Sequence, residues 1–271
     1  MEKSVSYDYA IHSDYLIHWT GKDIDRVHDN KWYESDKSAT VGSIELENAY
    51  LNRLRDILKY GLWMTQEPAT ELIPATPKCC FTELKISESR RHARRYGRLG
   101  IGVKRPFLFK RFGRPIVYFG IDERPFDKLL QACANELKNK DMMNFFKPMN
   151  EGRPLTYDLY GESEWRIIFF EELAKSKIII DPRNPENRKE HEYFQSLTED
   201  QQKTLRYLIS LDGWFQMIVY PSLGIKNRAQ QNDVENIMCE IKRIKTLQDH
   251  GNAVERGNWP IELDLDACRN F

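Results

Sequence analysis

Residues 45–61, ELENAYLNRLRDILKYG, are the stretch from which the rest of the chain is ordered. Leu46, Tyr50, Leu51, Leu54, Ile57 and Leu58 recur at spacings of three and four, which places them on one face of a helix over Glu45–Tyr60. Gly61 follows as a natural C′ residue. Upstream, Tyr15-Leu16-Ile17-His18-Trp19 reads as a short strand, and Gly21 to about Ser43 as a polar, irregular stretch. Downstream, strands are expected at Cys79–Leu84, Leu99–Val103, Pro115–Phe119, Trp165–Phe170, Lys177–Ile180 and Phe215–Tyr220, the last halted by Pro221. Helices are expected at Glu88–Tyr96, Phe126–Asn139, from the Thr198/Gln201 capping box through Leu211, and at Asp233–Leu247. Asn184–Glu192 reads as an exposed loop. Strands and helices at irregular intervals fit one mixed α/β (α+β) domain over residues 1–271 better than a regular doubly wound sheet.

Composition removes several classes. Twelve per cent aromatic residues and a zero formal charge argue against a disordered chain. No apolar run is long enough to span a membrane, and Met1–Asp8 has no apolar core of a signal peptide. Five scattered cysteines form neither a disulfide framework nor a paired CxxC site, and the six histidines show no HExxH spacing, so no metal is expected. These features together favour a reduced, cytoplasmic setting.

The zero charge hides an asymmetry. Lys85–Arg114 holds eleven basic residues and one acid, Glu88, for +10, which leaves −10 for the rest of the chain. Tyr96, Phe107, Phe109 and Phe112 lie among them. Cations interleaved with rings suit a nucleic-acid groove, where charge follows the backbone and rings stack on bases. The block fits equally a helix face paired with acids elsewhere in the fold, or a site for a small phosphorylated ligand.

Three motifs bear chemistry. His18-Trp19-Thr20 puts an imidazole and a hydroxyl on one side of a strand, a geometry suited to a ribose diol or to a histidine satisfied in the core. Glu162-Ser163-Glu164-Trp165-Arg166 sets two carboxylates on one face; one is expected to be pushed toward a higher pKa, and the alternatives are an exposed acidic strand entry or a Glu164–Arg166 ion pair. Gly97, Gly100 and Gly102 follow the arginine run and would let the backbone approach a ligand closely, although their spacing matches neither the dinucleotide fingerprint nor the P-loop.

Tyr15–Thr20 followed by Leu54-Arg55-Asp56-Ile57-Leu58-Lys59-Tyr60-Gly61-Leu62 resembles the opening of DarT-type ADP-ribosyltransferases, in which a His-x-Thr strand precedes a leucine-rich helix ending in Gly-Leu. Cys80–Leu84, His92-Ala93, Tyr96-Gly97 and Gly100-Ile101 are similar to the AbiGi abortive-infection family of bacterial phage-defence toxin–antitoxin systems. Glu162-Ser163-Glu164 matches the E-x-E signature of many ADP-ribosyltransferases, whereas Phe81-Thr82-Glu83 stands where arginine-modifying members carry Ser-Thr-Ser. The resemblance covers roughly residues 14–170. It implies an ADP-ribosyltransferase-like split sheet with flanking helices, residues 171–271 completing the sheet and helices. It also implies NAD as substrate, with Glu164 as catalytic carboxylate and Glu162 orienting the acceptor. His18 and Thr20 would hold the adenosine-side ribose. An arginine of the Arg90–Arg98 block, Arg91 or Arg95, would grip the diphosphate, and Tyr96 would stack on nicotinamide. The function implied is that of an anti-phage toxin transferring ADP-ribose to RNA or single-stranded DNA, with a protein antitoxin and a chaperone as candidate partners and no membrane. The alternatives are a non-catalytic antitoxin or nucleic-acid-binding module, and an NAD glycohydrolase.

Overall fold

The computed structural model describes residues 14–28, 43–83, 89–119, 131–148, 163–231, 236–246 and 259–269. Its centre is a ten-stranded, mostly antiparallel sheet in the order β12-β11-β4-β1-β3-β2-β10-β9, with β8 and then β5 branching from β3. The strands are β1 (Tyr15–Thr20), β2 (Leu62–Thr65), β3 (Lys78–Thr82), β4 (Leu99–Lys104), β5 (Arg114–Pro115), β8 (Glu164–Ile168), β9 (Ile179–Ile180), β10 (Leu205–Ile209), β11 (Phe215–Tyr220) and β12 (Ile261–Asp264). A parallel pair, β6 (Val117–Phe119) and β7 (Phe146–Pro148), stands apart. Mixed α/β architecture is therefore observed, and strands from the last hundred residues supply both ends of the main sheet path.

The branch at β3 shapes the molecule. One edge of β3 pairs with β8 along its whole length, Lys78↔Ile168 to Thr82↔Glu164. The other edge is shared: β1 meets it at Ile17↔Thr82 and β2 meets it at Thr65↔Lys78. Two strands attached at opposite ends of one edge must diverge, so the sheet splits between β1 and β2.

Helix α1 (Lys22–His28) leaves β1, and α2 (Ile44–Tyr60) carries the stripe seen in the sequence. Leu46, Tyr50, Leu51, Leu54, Ile57 and Leu58 are all buried. Ser43 Oγ caps the helix start and the Gly61 N–H bonds to Ile57 O at its end. Helix α3 (Ser89–Tyr96) covers Ile17 and Trp19 on the opposite face of the sheet, where Ala93 and Cys268 complete a second core. A short helix α4 (Arg105–Phe109) follows β4.

The glycines of β4 serve packing. A Cβ on Gly102 would lie 2.6 Å from Met217 Cβ, so this position is filled by the protein's own side chains and not by a ligand. Gly97 is different: at φ +114 it ends α3, and a Cβ there would lie 2.3 Å from Thr20 O and Lys22 N. Only glycine lets α3 close on the β1–α1 junction in that conformation.

Several expectations are corrected. The polar stretch after Gly21 contains α1. The loop expected over Asn184–Glu192 turns helical at Arg188, in α6 (Arg188–Ser196), which follows α5 (Glu171–Lys175). The Thr198–Gln201 capping box forms, but α7 (Glu199–Thr204) stops early and Leu205–Ile209 is β10. A short apolar run fits a buried helix or a strand equally well; here the exposed edge of β2, offering Leu62–Thr65, decides for the strand. Pro115–Phe119 divides into β5 and β6. Of the helix expected at 126–139, residues 131–136 are helical and 126–130 lie outside the described residues. The last two helices are α8 (Leu223–Ala229) and α9 (Ile237–Thr246), the latter burying Ile237, Ile241 and Ile244 against the core of α2. No helix among the described residues is long and apolar enough to cross a membrane.

Candidate functional site

A cavity of about 940 Å³ occupies the split. That is the upper end of the size range of small-molecule sites, roughly 300–1,000 Å³, and suits an extended ligand. His18 and Thr20 of β1, Trp63 of β2, Cys80 of β3, Arg95 and Tyr96 of α3, and Glu164 and Arg166 of β8 all line it. Five of the seven site residues expected from sequence thus share one cavity. Arg91 lies on α3 with its side chain outside the described residues, as is Glu162 altogether.

Pleat parity separates the two key groups. Ile17, Thr82 and Glu164 form one cross-strand row, so Glu164 leaves the sheet on that face. His18 alternates to the other face, toward Phe81 (ring centroids 5.7 Å) and Cys79 (Sγ to Nδ1 3.5 Å). The cavity reaches both because the sheet is open between β1 and β2.

His18 stands where a strand would otherwise pair. Its Nδ1 lies 2.9 Å from Cys80 O, on the edge of β3 left open by the split. A carbonyl only accepts, so Nδ1 carries the proton and Nε2 of the neutral ring is an acceptor. Burial lowers the pKa of His18, and the Arg53 charge adds to this against the Cys80 hydrogen bond. The ring is neutral at pH 7. Thr20, two residues on, accepts from Arg53 Nη1 at 3.0 Å.

Glu164 is clamped. Arg166 Nε donates to Oε1 at 2.7 Å and Lys147 Nζ to Oε2 at 2.6 Å, while Arg166 Nη1 reaches Asn144 O at 2.5 Å. Burial acts to raise its pKa, but Arg166 and Lys147 outweigh this and hold it at about 2. The expected upward shift is therefore corrected for Glu164: the ion pair with Arg166 forms, and a second cation joins it. Glu164 is an ionised carboxylate across the working pH range, unsuited to general-base work and suited to fixed electrostatic stabilisation. Cys80, beside it, is pushed up to about 12, first by burial and then by the Glu164 charge, so its thiol is inert.

Cations outside this clamp line the cavity as well. Lys22 and Arg26 of α1, Arg53 of α2 and Arg95 of α3 line the cavity together. Burial lowers the pKa of Lys22, and the nearby charges of Arg26 and Arg95 lower it further. Asp23 is the acid among them, paired with Arg53 Nη2 at 2.6 Å. Arg53 also lies over the Trp63 ring, 5.8 Å from its centroid, and Arg95 over Tyr96 at 5.3 Å. The sequence reading missed Arg53, Lys22, Arg26 and Lys147. Arg53 had a signal: it stands three residues after Tyr50 and four before Ile57, a cation at the edge of an apolar stripe. Lys147 had none, because it reaches Glu164 only through the β6–β7 pair.

The basic block is partly absorbed by the fold. Arg98, 1% exposed, pairs with Asp25 at 2.7 Å beneath Tyr50, whose hydroxyl donates to the same carboxylate at 2.6 Å. Arg105 pairs with Glu83 and Arg111 with Asp212. Of the four aromatics, Phe107 is buried and Tyr96 faces the cavity, while Phe109 and Phe112 are exposed. No protein-family model, curated protein or solved structure matches the chain.

Proposed function

We propose that the cleft takes NAD and that the protein is an ADP-ribosyltransferase toxin of an anti-phage abortive-infection system, acting on RNA or single-stranded DNA and restrained by a protein antitoxin. One observation carries this reading: His18 and Thr20 from the first strand and Glu164 from a late strand line one dinucleotide-sized cavity whose lining also includes Lys22, Arg26, Arg53 and Arg95. The neutral imidazole offers Nε2 to a ribose hydroxyl. The Arg95 guanidinium suits a diphosphate, and Arg53, whose fork serves Thr20 and Asp23, adds positive charge beside it. When the bond to nicotinamide breaks, positive charge develops on the ribose, and the permanently ionised Glu164 supplies the opposing charge. Nicotinamide leaves as a neutral molecule with the electrons of the broken bond, a lone pair of the acceptor bonds to the ribose carbon it vacates, and the acceptor's proton passes to solvent.

One feature favours a second reading, a nucleotide-binding module without chemistry: both oxygens of Glu164 are already occupied by cations. Purified protein incubated with NAD labelled in the adenylate phosphate separates the cases. The transferase labels an oligonucleotide and releases nicotinamide. Release without a labelled macromolecule indicates a glycohydrolase, label on protein overturns the acceptor, and binding by calorimetry without release supports the second reading. His18→Ala should abolish binding. It is also the better probe of toxicity on expression, because replacing Glu164 removes a structural ion.

A further inference from the structure

The C-terminal part of the basic block is gathered on one turn. Residues 109–113 close α4 tightly: Arg111 N and Gly113 N both bond to Leu108 O at 2.8 Å, and Phe112 N to Phe109 O at 3.2 Å. Arg111 points into the body. It is 5% exposed, lies 3.6 Å from the Phe107 ring centroid, and donates to Phe107 O, Ser210 O and Asp212. With the middle of the turn so anchored, its neighbours are forced outward. Phe109 is 49% exposed and Phe112 43%, the latter at φ +56, a left-handed conformation that bulky side chains rarely adopt.

These rings extend an aromatic ledge. Phe109 lies 5.9 Å from Trp165, and Phe112 meets Phe170 edge-on at 5.5 Å. Two exposed cations belong to the same turn: Arg114 lies 6.0 Å over Phe109, and Lys110 lies over the neighbouring Trp214 ring at 5.5 Å. Three of the nearby carboxylates are engaged: Glu83 accepts from Trp165 Nε1 and Arg105, Asp212 holds Arg111, and Glu171 pairs with Lys175, while Glu172 at the start of α5 is an exposed acid. Exposed rings and cations presented together on one anchored turn match the bases and phosphates of a single strand, whereas a duplex hides its base faces.

We infer that the Phe109–Arg114 turn, with Trp165 and Phe170 behind it, is a docking surface for single-stranded nucleic acid. This rests on the acceptor class proposed above but not on catalysis. The test is fluorescence anisotropy with labelled oligothymidine, oligouridine and a matched duplex. Both single strands should bind the wild type, and the duplex more weakly. Phe109→Ala/Phe112→Ala should weaken single-strand binding about tenfold or more, from two lost stacking contacts. Lys110→Ala/Arg114→Ala should flatten the salt dependence by roughly 0.7 per lost phosphate contact. Calorimetric NAD binding should be unchanged in both variants. If DNA binds and RNA does not, or the reverse, the surface stands and the acceptor is narrowed. Absence of single-strand binding by the wild type, equal binding of the duplex, or undiminished binding by both variants overturns the inference. If the wild type binds oligonucleotide at this turn yet never binds NAD, the docking surface stands and the transferase reading falls.

Discussion

Glu164→Gln should unfold more easily by an amount fixed by the clamp around the carboxylate. The amide has the shape of a protonated carboxyl and removes the same charge. Holding Glu164 at about 2 against an ordinary 4.5 favours the ionised form by about 3 kcal/mol. The independent figure for breaking a buried pair by removing one partner is about 3–5 kcal/mol. Substitution leaves Arg166, 7% exposed, and Lys147, 17% exposed, facing each other without their anion. At roughly 2–4 °C per kcal/mol for a chain of this size, melting should fall by about 6–12 °C at pH 7. The pH dependence identifies the cause. Between the two pKa values the unfolded chain binds a proton that the folded chain does not, so the Glu164 contribution is complete above 4.5 and is lost as pH falls toward 2. The gap between wild type and variant, measured by urea unfolding, should shrink to under half by about pH 3. A gap below about 1 kcal/mol at pH 7, or one that stays constant down to pH 3, would refute the reasoning.

Three further outcomes follow from the same geometry. Lys147→Met should raise the Glu164 pKa by removing one of its two cations, so the variant's acid unfolding limb should move to higher pH than that of the wild type. His18 should titrate below 6.5 in the folded protein by NMR; its contribution to stability is then present above 6.5 and lost as pH falls below it, and a midpoint at or above 6.5 contradicts its burial. Arg98→Ala should cost about 3–5 kcal/mol by leaving Asp25 buried, with partial recovery in the Arg98→Ala/Asp25→Ala double variant, yet leave the salt dependence of oligonucleotide binding unchanged.

Local patterning was legible from the residues alone. The α2 stripe, the capping box at Thr198, the β1 and β11 strands and the side-by-side placement of His18 and Thr20 follow from periodicity and from backbone groups that neighbours in sequence satisfy. What the sequence left open was everything carried by strand pairing. Leu205–Ile209 is apolar enough for either regular structure, and only the waiting edge of β2 makes it a strand. The arginine block looks like one continuous surface, yet Arg98, Arg105 and Arg111 turn inward to acids that the fold delivers from Asp25, Glu83 and Asp212. His18 and Glu164 each stand out as chemistry-bearing residues, but pleat parity sends them to opposite faces. They share a cavity because two strands compete for one edge of β3, and Glu164 is ionised because Lys147 and Arg166 converge on it. Periodicity is a property of neighbours along the chain, whereas charge, burial and access are set by partners that only tertiary contact brings within a few ångströms.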